Sequence, residues 1–323
     1  VDLFGAGAEV RPFALTYLRI SLLGVPALLL VLAGTGYLRG RQDTRTPLVV
    51  AVASALANLG AELAFVYGLD LGIAGSAWST VAVQVVAAGV YLRLVARHAL
   101  ALRVALRPDP AVLRRLAIVG RDLFVRTVSL RFSLTLATAV AARIGVVDLA
   151  AHQIAFELWS FLALVLDGLA IAGQAMVGRL LGAGDAVGAR AAARRMLGWG
   201  VVVGVALGVA VGGLRGVLPP LFSDDGSVRA LASFLLLWVA VLQPVNAVVF
   251  VLDGVLIGAG DLRFLAWAMA GAALAFVPAT GAVLGFGLGI GWLWAAIAVL
   301  MVARLVALGR RFLGPAWAVT GAG

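Results

Sequence analysis

Long apolar runs separated by short polar segments recur along the whole chain. Nine of these runs are long enough to cross a membrane as helices, and they cover residues 13–38, 47–67, 73–93, 120–143, 149–178, 196–214, 229–256, 264–285 and 289–309. A membrane-spanning helix needs about 20 mainly apolar residues. Several runs contain Gly or Pro, which membrane helices tolerate better than soluble helices do. The pattern predicts an all-α polytopic membrane protein with nine transmembrane helices.

The first and seventh runs are copies of one segment. Residues 17–45 align with residues 235–263 at an offset of 218 positions, and 13 of the 43 pairs from position 3 to position 45 are identical. The matched pairs include Pro26/Pro244, Gly36/Gly254, Gly40/Gly258, Asp43/Asp261 and Arg45/Arg263. A shared apolar bias matches Leu with Leu, but it does not align Pro, Gly, Asp and Arg at a single offset. We interpret the match as an internal duplication.

The duplication predicts the architecture of the intact protein. Because the first run matches the seventh, the repeat unit has six helices, and an even number of helices makes the two copies parallel. We expect a twelve-helix, two-lobe protein of which this chain carries nine helices. Residues 1–98 would be the remainder of the N-terminal lobe, 99–119 a cytoplasmic linker and 120–323 the C-terminal lobe. The other three helices would precede Val1.

Composition and charge exclude an ordinary soluble protein. The chain is 63% hydrophobic and 12% charged, whereas a soluble domain has about 25% charged residues. The net charge is +10, and the basic residues are all Arg. Because most of them lie in loops between the membrane spans, the charge is explained without a nucleic-acid partner, and we expect none. Loops on one side hold seventeen Arg and loops on the other side hold four. This asymmetry predicts that the first side, which includes the C-terminus, is cytoplasmic.

Polar residues in the second and third spans form one candidate site. Asn58 and Glu62 are four residues apart and share a helix face, and Thr80 could face them from the third span. A charge at bilayer depth costs about 2.5–3.5 kcal/mol on insertion scales, so it needs a partner or a water-filled cavity. Carboxylate, amide and hydroxyl oxygens suit Na⁺ or a proton held on the carboxylate. The alternative is a hydrogen-bonded cluster between helices.

A second set of polar residues lies in the C-terminal half, where we expect a substrate cavity or a second coupling site. Its members, on the fourth, fifth and seventh spans, are Arg131, Gln153, Glu157, Asp167, Asn246 and Asp253. With Arg126 included, two arginines oppose three carboxylates, which predicts a net acidic interior. The alternative for an aspartate is a structural ion pair with Arg131.

Two prolines occupy matching positions in the two copies. Pro26 and Pro244 each remove one backbone hydrogen bond from an apolar helix, so we expect a kink or hinge at each. The copies differ in charge nearby, because Thr35 in the first copy aligns with Asp253 in the second.

The sequence lacks the residues of most metal and enzyme sites. It has no Cys, and its two histidines, His98 and His152, are far apart in the chain, so we expect no transition-metal site. His152 begins the fifth span and is expected to be a capping or interfacial residue. No phosphate-binding loop, dinucleotide fingerprint or hydrolase motif is present, so neither an enzyme nor a nucleotide-driven pump is predicted.

Five segments with distinctive motifs follow one another along the chain. They are YLRI at 17–20 with Pro26, LRGRQDTRTP at 38–47, GIAGSAWST at 72–80, AHQIAFELWSFLALVLDGLAIAGQAMVGRLLGAGD at 151–185 and LDGVLIGAGDLR at 252–263. In this order they resemble the multidrug and toxic compound extrusion (MATE) transporters, from the end of the family's third helix to its twelfth. The last two segments are most similar to the DinF-like branch.

The resemblance implies a secondary active antiporter that exports organic, often cationic, compounds in exchange for Na⁺ or H⁺ by alternating access of two lobes. Carried over by position, Asn58, Glu62 and Thr80 match the cation site of the N-terminal lobe, and Asp253 matches an acidic position on the tenth helix. We expect a small organic substrate, membrane lipid around the protein and no cofactor besides the coupling ion. We further expect a monomer that crosses a bacterial plasma membrane many times.

Three alternatives remain open. A lipid-linked oligosaccharide flippase of the same superfamily would need more cationic residues to bind a pyrophosphate, and the expected acidic interior argues against it. A membrane-embedded enzyme would need a nucleophile with its base, or clustered metal ligands. A non-transporting scaffold would not need stripes of carboxylates inside the membrane.

Overall fold

The computed structural model describes residues 11–101 and 109–320. These residues contain nine long α-helices and no β-strand. The helices are α1 Arg11–Gly40, α2 Arg45–Leu63, α3 Gly72–Ala101, α4 Pro110–Ile144, α5 Val146–Gly182, α6 Ala186–Leu214, α7 Gly226–Gly258, α8 Leu262–Gly285 and α9 Ile290–Leu313. Each helix is long and apolar enough to cross a membrane. The prediction of an all-α polytopic protein is confirmed.

The chain divides into two compact units, residues 1–108 and residues 109–323, which we call the N unit and the C unit. In the N unit, α3 packs against both α1 and α2. In the C unit, α7 packs against α5, α6 and α9, while α8 packs against α4 and α9. More than half of the apolar stretch of α7 is buried, the largest share among the nine helices. Helix α7 therefore forms the centre of the C unit.

Two helices begin ten residues before the predicted spans at 120 and 196. Helix α4 begins at Pro110, where Asp109 accepts a hydrogen bond from the Ala111 amide at 2.8 Å. Helix α6 begins at Ala186, where Asp185 accepts one from the Gly188 amide at 2.7 Å. An aspartate at this position satisfies a free amide of the first helical turn. The apolar pattern predicted the membrane spans, but it did not predict the ten more polar residues with which each of these two helices begins.

These first turns change the description of the predicted linker, residues 99–119. Residues 110–119 belong to α4, and residues 99–101 end α3. Residues 102–108 lie outside the described residues. The boundary between the two units falls between residues 108 and 109, within the predicted linker. The assignment of the units to two lobes of a larger protein stays a prediction.

The backbone repeats with the offset found in the sequence. Helices α1 and α7 end at Gly40 and Gly258, 218 residues apart, and α3 and α9 begin at Gly72 and Ile290 with the same separation. The turns after α1 and α7 contain residues with positive φ at matching positions, Gln42 at 65° and Gly260 at 75°. A positive φ is costly for a residue with a side chain. The duplication thus keeps the turn geometry even where the glycine is absent.

Close approach of α7 to its neighbours depends on small residues. A Cβ on Gly254 would overlap the carbonyl of Ala170 on α5, and one on Gly258 would overlap the carbonyl of Gln174. On the opposite side, a Cβ on Gly204 of α6 would lie 2.9 Å from the carbonyl oxygen of Gln243. Small residues allow close backbone packing between membrane helices. These contacts fix the position of α7 between α5 and α6.

We predict that Gly254→Ala destabilises the protein by about 1–3 kcal/mol, the usual cost of overpacking. The added methyl group has only backbone atoms of α5 in front of it, and backbone atoms cannot rotate away. Thermal unfolding of the purified full-length protein in detergent measures the effect. Gly271→Ala on α8 is the control, because a Cβ there meets nothing within 4 Å. Equal unfolding temperatures for the two variants would contradict the close packing.

Candidate functional site

The candidate cation site of the N unit is built on a hydrogen bond between two helices. The hydroxyl of Ser76 on α3 donates to the Glu62 carboxylate on α2 at 2.8 Å. Both side chains are half-buried. Ser76 was missed in the sequence, although it lies four residues before Thr80 and so shares its helix face. That spacing could have identified it as the residue that faces Glu62.

Local backbone geometry brings Ser76 to Glu62. Directly after Glu62 and Leu63, the chain forms a π-helical turn over Ala64–Gly68. A Cβ on Gly75 would lie 2.8 Å from the carbonyl oxygen of Phe65 in this turn, so only glycine lets α3 approach so closely. Single π-helical turns within α-helices frequently occur at functional sites. The glycine therefore positions the neighbouring Ser76 hydroxyl against the carboxylate.

The other two predicted residues of this site flank the pair. Asn58 precedes Glu62 by one turn, and its buried Oδ1 has no hydrogen-bond partner among the described residues. Thr80 follows Ser76 by one turn, and its hydroxyl donates to the Ser76 carbonyl at 3.1 Å instead of to Glu62. The arrangement therefore presents a carboxylate, an amide oxygen and two hydroxyl oxygens on facing helices. Oxygen ligands of this kind suit a hard cation or a bound proton.

A buried carboxylate in the C unit is paired with two arginines. Asp253 on α7 accepts from Arg126 of α4 at 2.7 Å and from Arg304 of α9 at 2.5 Å. The side chains of Asp253 and Arg304 are 7% and 5% exposed, and that of Arg126 is 20% exposed. Buried charges persist when they are paired and hydrogen-bonded. This ion-pair triad joins α4, α7 and α9.

The triad corrects two expectations about the C unit. The partners of Asp253 are Arg126 and Arg304, whereas Arg131 is exposed and makes no ion pair among the described residues. With Arg304 counted, the predicted set holds three arginines and three carboxylates, so it carries no net negative charge. Arg304 was overlooked because it lies inside the last predicted span. It is nevertheless visible there as a charge within the apolar segment IAVLMVARLVALG.

The matching position of the N unit has a neutral contact. Thr35, which aligns with Asp253, donates a hydrogen bond to the Tyr91 hydroxyl of α3 at 2.9 Å. Helices α1 and α3 correspond to α7 and α9 in the repeat. The same pair of helices is therefore joined in both copies, by a neutral hydrogen bond in the first and by an ion pair in the second.

The remaining predicted cavity residues divide into exposed and buried groups. Gln153, Glu157 and Asp167 on α5 are exposed at the surface of the C unit. Asp167 interacts electrostatically with both Arg126 and Asp253. Asn246 is only 1% exposed, and neither atom of its amide has a partner in the described part of the chain. The structure therefore buries Asn246 inside the C unit, whereas Glu157 lies on the surface of the unit.

His152 also differs from expectation, because it is fully buried instead of capping or interfacial. Its ring stacks on Phe156 with the centroids 5.8 Å apart and meets the edge of Trp294 at 5.9 Å. The Thr138 hydroxyl lies 3.4 Å from its Nε2. Aromatic packing accounts for its position.

Pro26 and Pro244 both lie inside continuous helices. Helix α1 extends across Pro26, and α7 extends across Pro244. Pro244 packs against α6, where a Cβ on Gly204 would lie 2.9 Å from its Cα. Proline cannot donate to the carbonyl one turn earlier. A hinge role for either proline stays a prediction.

This architecture indicates the class of protein. The chain has two units of long apolar helices, its sequence contains a repeat, and charged side chains lie between helices. These features are typical of a membrane transporter. A family model described as MatE matches residues 1–62 and 123–282. The chain belongs to the MATE family of transporters and is not an enzyme.

Curated relatives come from Arabidopsis thaliana. The chain is 36% identical to Protein DETOXIFICATION 43 over 299 residues, which cover 90% of this chain and 55% of that protein. It is 32% identical to Protein DETOXIFICATION 44, chloroplastic, over 292 residues, with the same coverage of 90% and 55%. The chain thus spans about half the length of these relatives.

Solved structures agree on the fold. The eukaryotic MATE transporter AtDTX14 superposes with a TM-score of 0.85 at 18% identity, over 98% of this chain and 72% of that one. A MATE transporter in a bent conformation gives 0.83 at 18% identity, over 97% and 70%. A MOP-superfamily transporter from Pyrococcus furiosus, described as having a binding pocket of reverse polarity, gives 0.81 at 20% identity, over 96% and 70%. The predicted transporter fold is confirmed for the described residues, whose nine apolar helices superpose on MATE transporters.

We predict that Asp253→Asn destabilises the protein by about 3–5 kcal/mol, because it leaves the buried Arg304 and the partly buried Arg126 without their counter-charge. Thermal unfolding of the full-length protein in detergent measures this loss. Glu157→Gln is the matched control on α5, since Glu157 is exposed and forms no ion pair among the described residues. If the two substitutions lower the unfolding temperature equally, Asp253 has no special structural role.

Proposed function

We propose that the full-length protein is a secondary active antiporter that exports small organic, often cationic, compounds in exchange for Na⁺ or H⁺. Membership of the MATE family supports the class of activity. The Glu62–Ser76 hydrogen bond supports the location of the coupling site. Glu62 is the half-buried carboxylate within the helices of the N unit, and no arginine neutralises it among the described residues. Alternating access of two lobes would exchange ion and substrate.

The N unit would bind the coupling ion, and the C unit would contact the substrate. Asp253 is already neutralised by Arg126 and Arg304, so a coupling ion would have to compete with two guanidinium groups for its carboxylate. Glu62 accepts only a neutral hydroxyl, and the oxygens of Asn58 and Thr80 lie one turn away on the same two helix faces. Glu62, Asn58, Ser76 and Thr80 therefore form the proposed coupling site. The exposed Gln153, Glu157 and Asp167 would contact the substrate.

The cellular setting is part of the proposal. The arginine asymmetry favours a cytoplasmic C-terminus, and we place the protein in a bacterial plasma membrane as a monomer. The relatives reported above are plant proteins, so the bacterial location and the DinF-like branch rest on the sequence alone.

A second candidate function is transport of an anionic substrate, with a lipid-linked oligosaccharide as the example. The candidate cavity residues of the C unit, with Arg126 and Arg304 counted, balance three arginines against three carboxylates, which removes the main argument against it. Arg131 is exposed on α4, the helix that also carries the partly exposed Arg126, and could bind a phosphate group. Parallel flux assays with a cationic dye and with a lipid-linked pyrophosphate would separate the two candidates.

We predict that Glu62→Gln abolishes ion-driven efflux from proteoliposomes that contain the full-length protein. The amide keeps the shape of the side chain but can neither carry a negative charge nor exchange a proton. Efflux is measured under a Na⁺ gradient and under a pH gradient separately, so that the arm that drives transport identifies the ion. Ser76→Ala should weaken coupling without abolishing it, since it removes one hydrogen bond worth about 1 kcal/mol, or about fivefold in ion affinity.

Asp224→Asn is the control for loss of a carboxylate. Asp224 lies in a loop and is fully exposed, and its one ion pair among the residues that the structure describes is with Arg229. This variant should transport like the wild type. Wild-type efflux by Glu62→Gln under both gradients would refute the coupling role of Glu62.

A further inference from the structure

A pocket of about 300 Å³ lies between α4 and α8 of the C unit. It is at the end of the unit where α8 begins, which the arginine count predicts to be cytoplasmic. The residues that line it are Arg121, Asp122, Val125, Arg263, Ala266 and Trp267. None of these residues belongs to the ion-pair triad or to the proposed coupling site.

The pocket changes from polar to apolar with depth. Arg121 and Val125 are four residues apart on α4, and Arg263 and Trp267 are four residues apart on α8, so each pair shares one helix face. Arg263 lies in the first turn of α8, and Trp267 lies one turn further into the membrane span. The two guanidinium groups therefore mark the outer level of the pocket. The apolar side chains mark the level below it.

The pocket has an excess of one positive charge. Both Nε and Nη2 of Arg121 donate to the buried carboxylate of Asp122, at 3.0 and 2.8 Å. The Arg121 side chain is still 64% exposed, and a guanidinium has five N–H donors, so donors remain for another ligand. Arg263 is exposed and makes no ion pair or hydrogen bond within the described part of the chain. Two arginines thus face one carboxylate.

We propose that this pocket binds the phosphate headgroup of an anionic membrane phospholipid. Guanidinium groups recognise phosphate through paired charge-assisted hydrogen bonds. Trp267 is 69% exposed, and tryptophan is enriched at the level of lipid headgroups. Val125 and Trp267 would contact the first part of the acyl chains, a contact that free phosphate cannot make. Anionic lipids are attracted to basic pockets between helices on the cytoplasmic side.

Binding of phosphatidylglycerol to the full-length protein in detergent tests the proposal, with native mass spectrometry counting the bound lipids. Arg263→Gln is the main variant, because Arg263 has no partner among the described residues that the substitution would leave unpaired. We expect about fivefold weaker binding of phosphatidylglycerol, the loss that corresponds to about one arginine near a charged surface. Arg310→Gln at the end of α9 is the matched control, since Arg310 is also exposed at this end of the unit.

Asp122→Asn gives a test in the opposite direction. It releases Arg121 and removes the negative charge from the pocket, so phosphatidylglycerol should bind more tightly, whereas phosphatidylcholine should be unaffected. Three results would overturn the proposal: equal loss of binding in Arg263→Gln and Arg310→Gln, equal binding of the two lipids by the wild type, or weaker lipid binding in Asp122→Asn. Full displacement of the lipid by millimolar inorganic phosphate would assign the pocket to a soluble phosphate instead.

Discussion

The burial of charge in an apolar membrane protein is the constraint on which this structure depends. Asp253 can occupy the centre of the C unit only because Arg126 and Arg304 neutralise it from two other helices. The ion pairs thereby fix the relative positions of α4, α7 and α9. Gly254, the next residue, lets the same turn of α7 press against the backbone of α5. Four helices of the C unit are thus held at one level by two neighbouring residues.

The two copies of the repeat share a backbone but differ in where they carry charge. Both copies keep the helix ends, the positive-φ turn and the contact between the first and third helices of the repeated segment. The first copy makes this contact with uncharged groups, Thr35 and Tyr91. The acidic residue within its described helices is Glu62, which accepts a single hydroxyl and has no guanidinium beside it among the described residues. The C unit therefore carries a satisfied carboxylate, and the N unit carries one that can still exchange a ligand.

Much of the fold could be predicted from the sequence, and the failures have physical causes. The spans and the duplication follow from hydrophobicity and from residues that cannot match by chance, so both were identified. The early starts of α4 and α6 were missed because Asp109 and Asp185 cap polar turns that no apolar pattern records. Asn58, Glu62 and Thr80 were predicted as a site from their spacing, and that role stays a prediction. Whether Ser76 or Thr80 contacts Glu62 depends on the π-helical turn at Ala64–Gly68 and on the close approach at Gly75. The spacing of polar residues places both hydroxyls on one helix face, but it does not record these two backbone features.

The central claim is that Glu62 couples transport to an ion, whereas Asp253 serves the structure. The most direct measurement is ion-driven efflux by the double variant Asp253→Asn/Arg304→Gln of the full-length protein in proteoliposomes. This variant removes one negative and one positive charge, so the net charge of the triad stays at +1 and is carried by the partly exposed Arg126. A buried ion pair can often be replaced by neutral groups without unfolding. We expect a folded protein with wild-type coupling. A folded double variant that has lost ion-driven efflux would contradict the account.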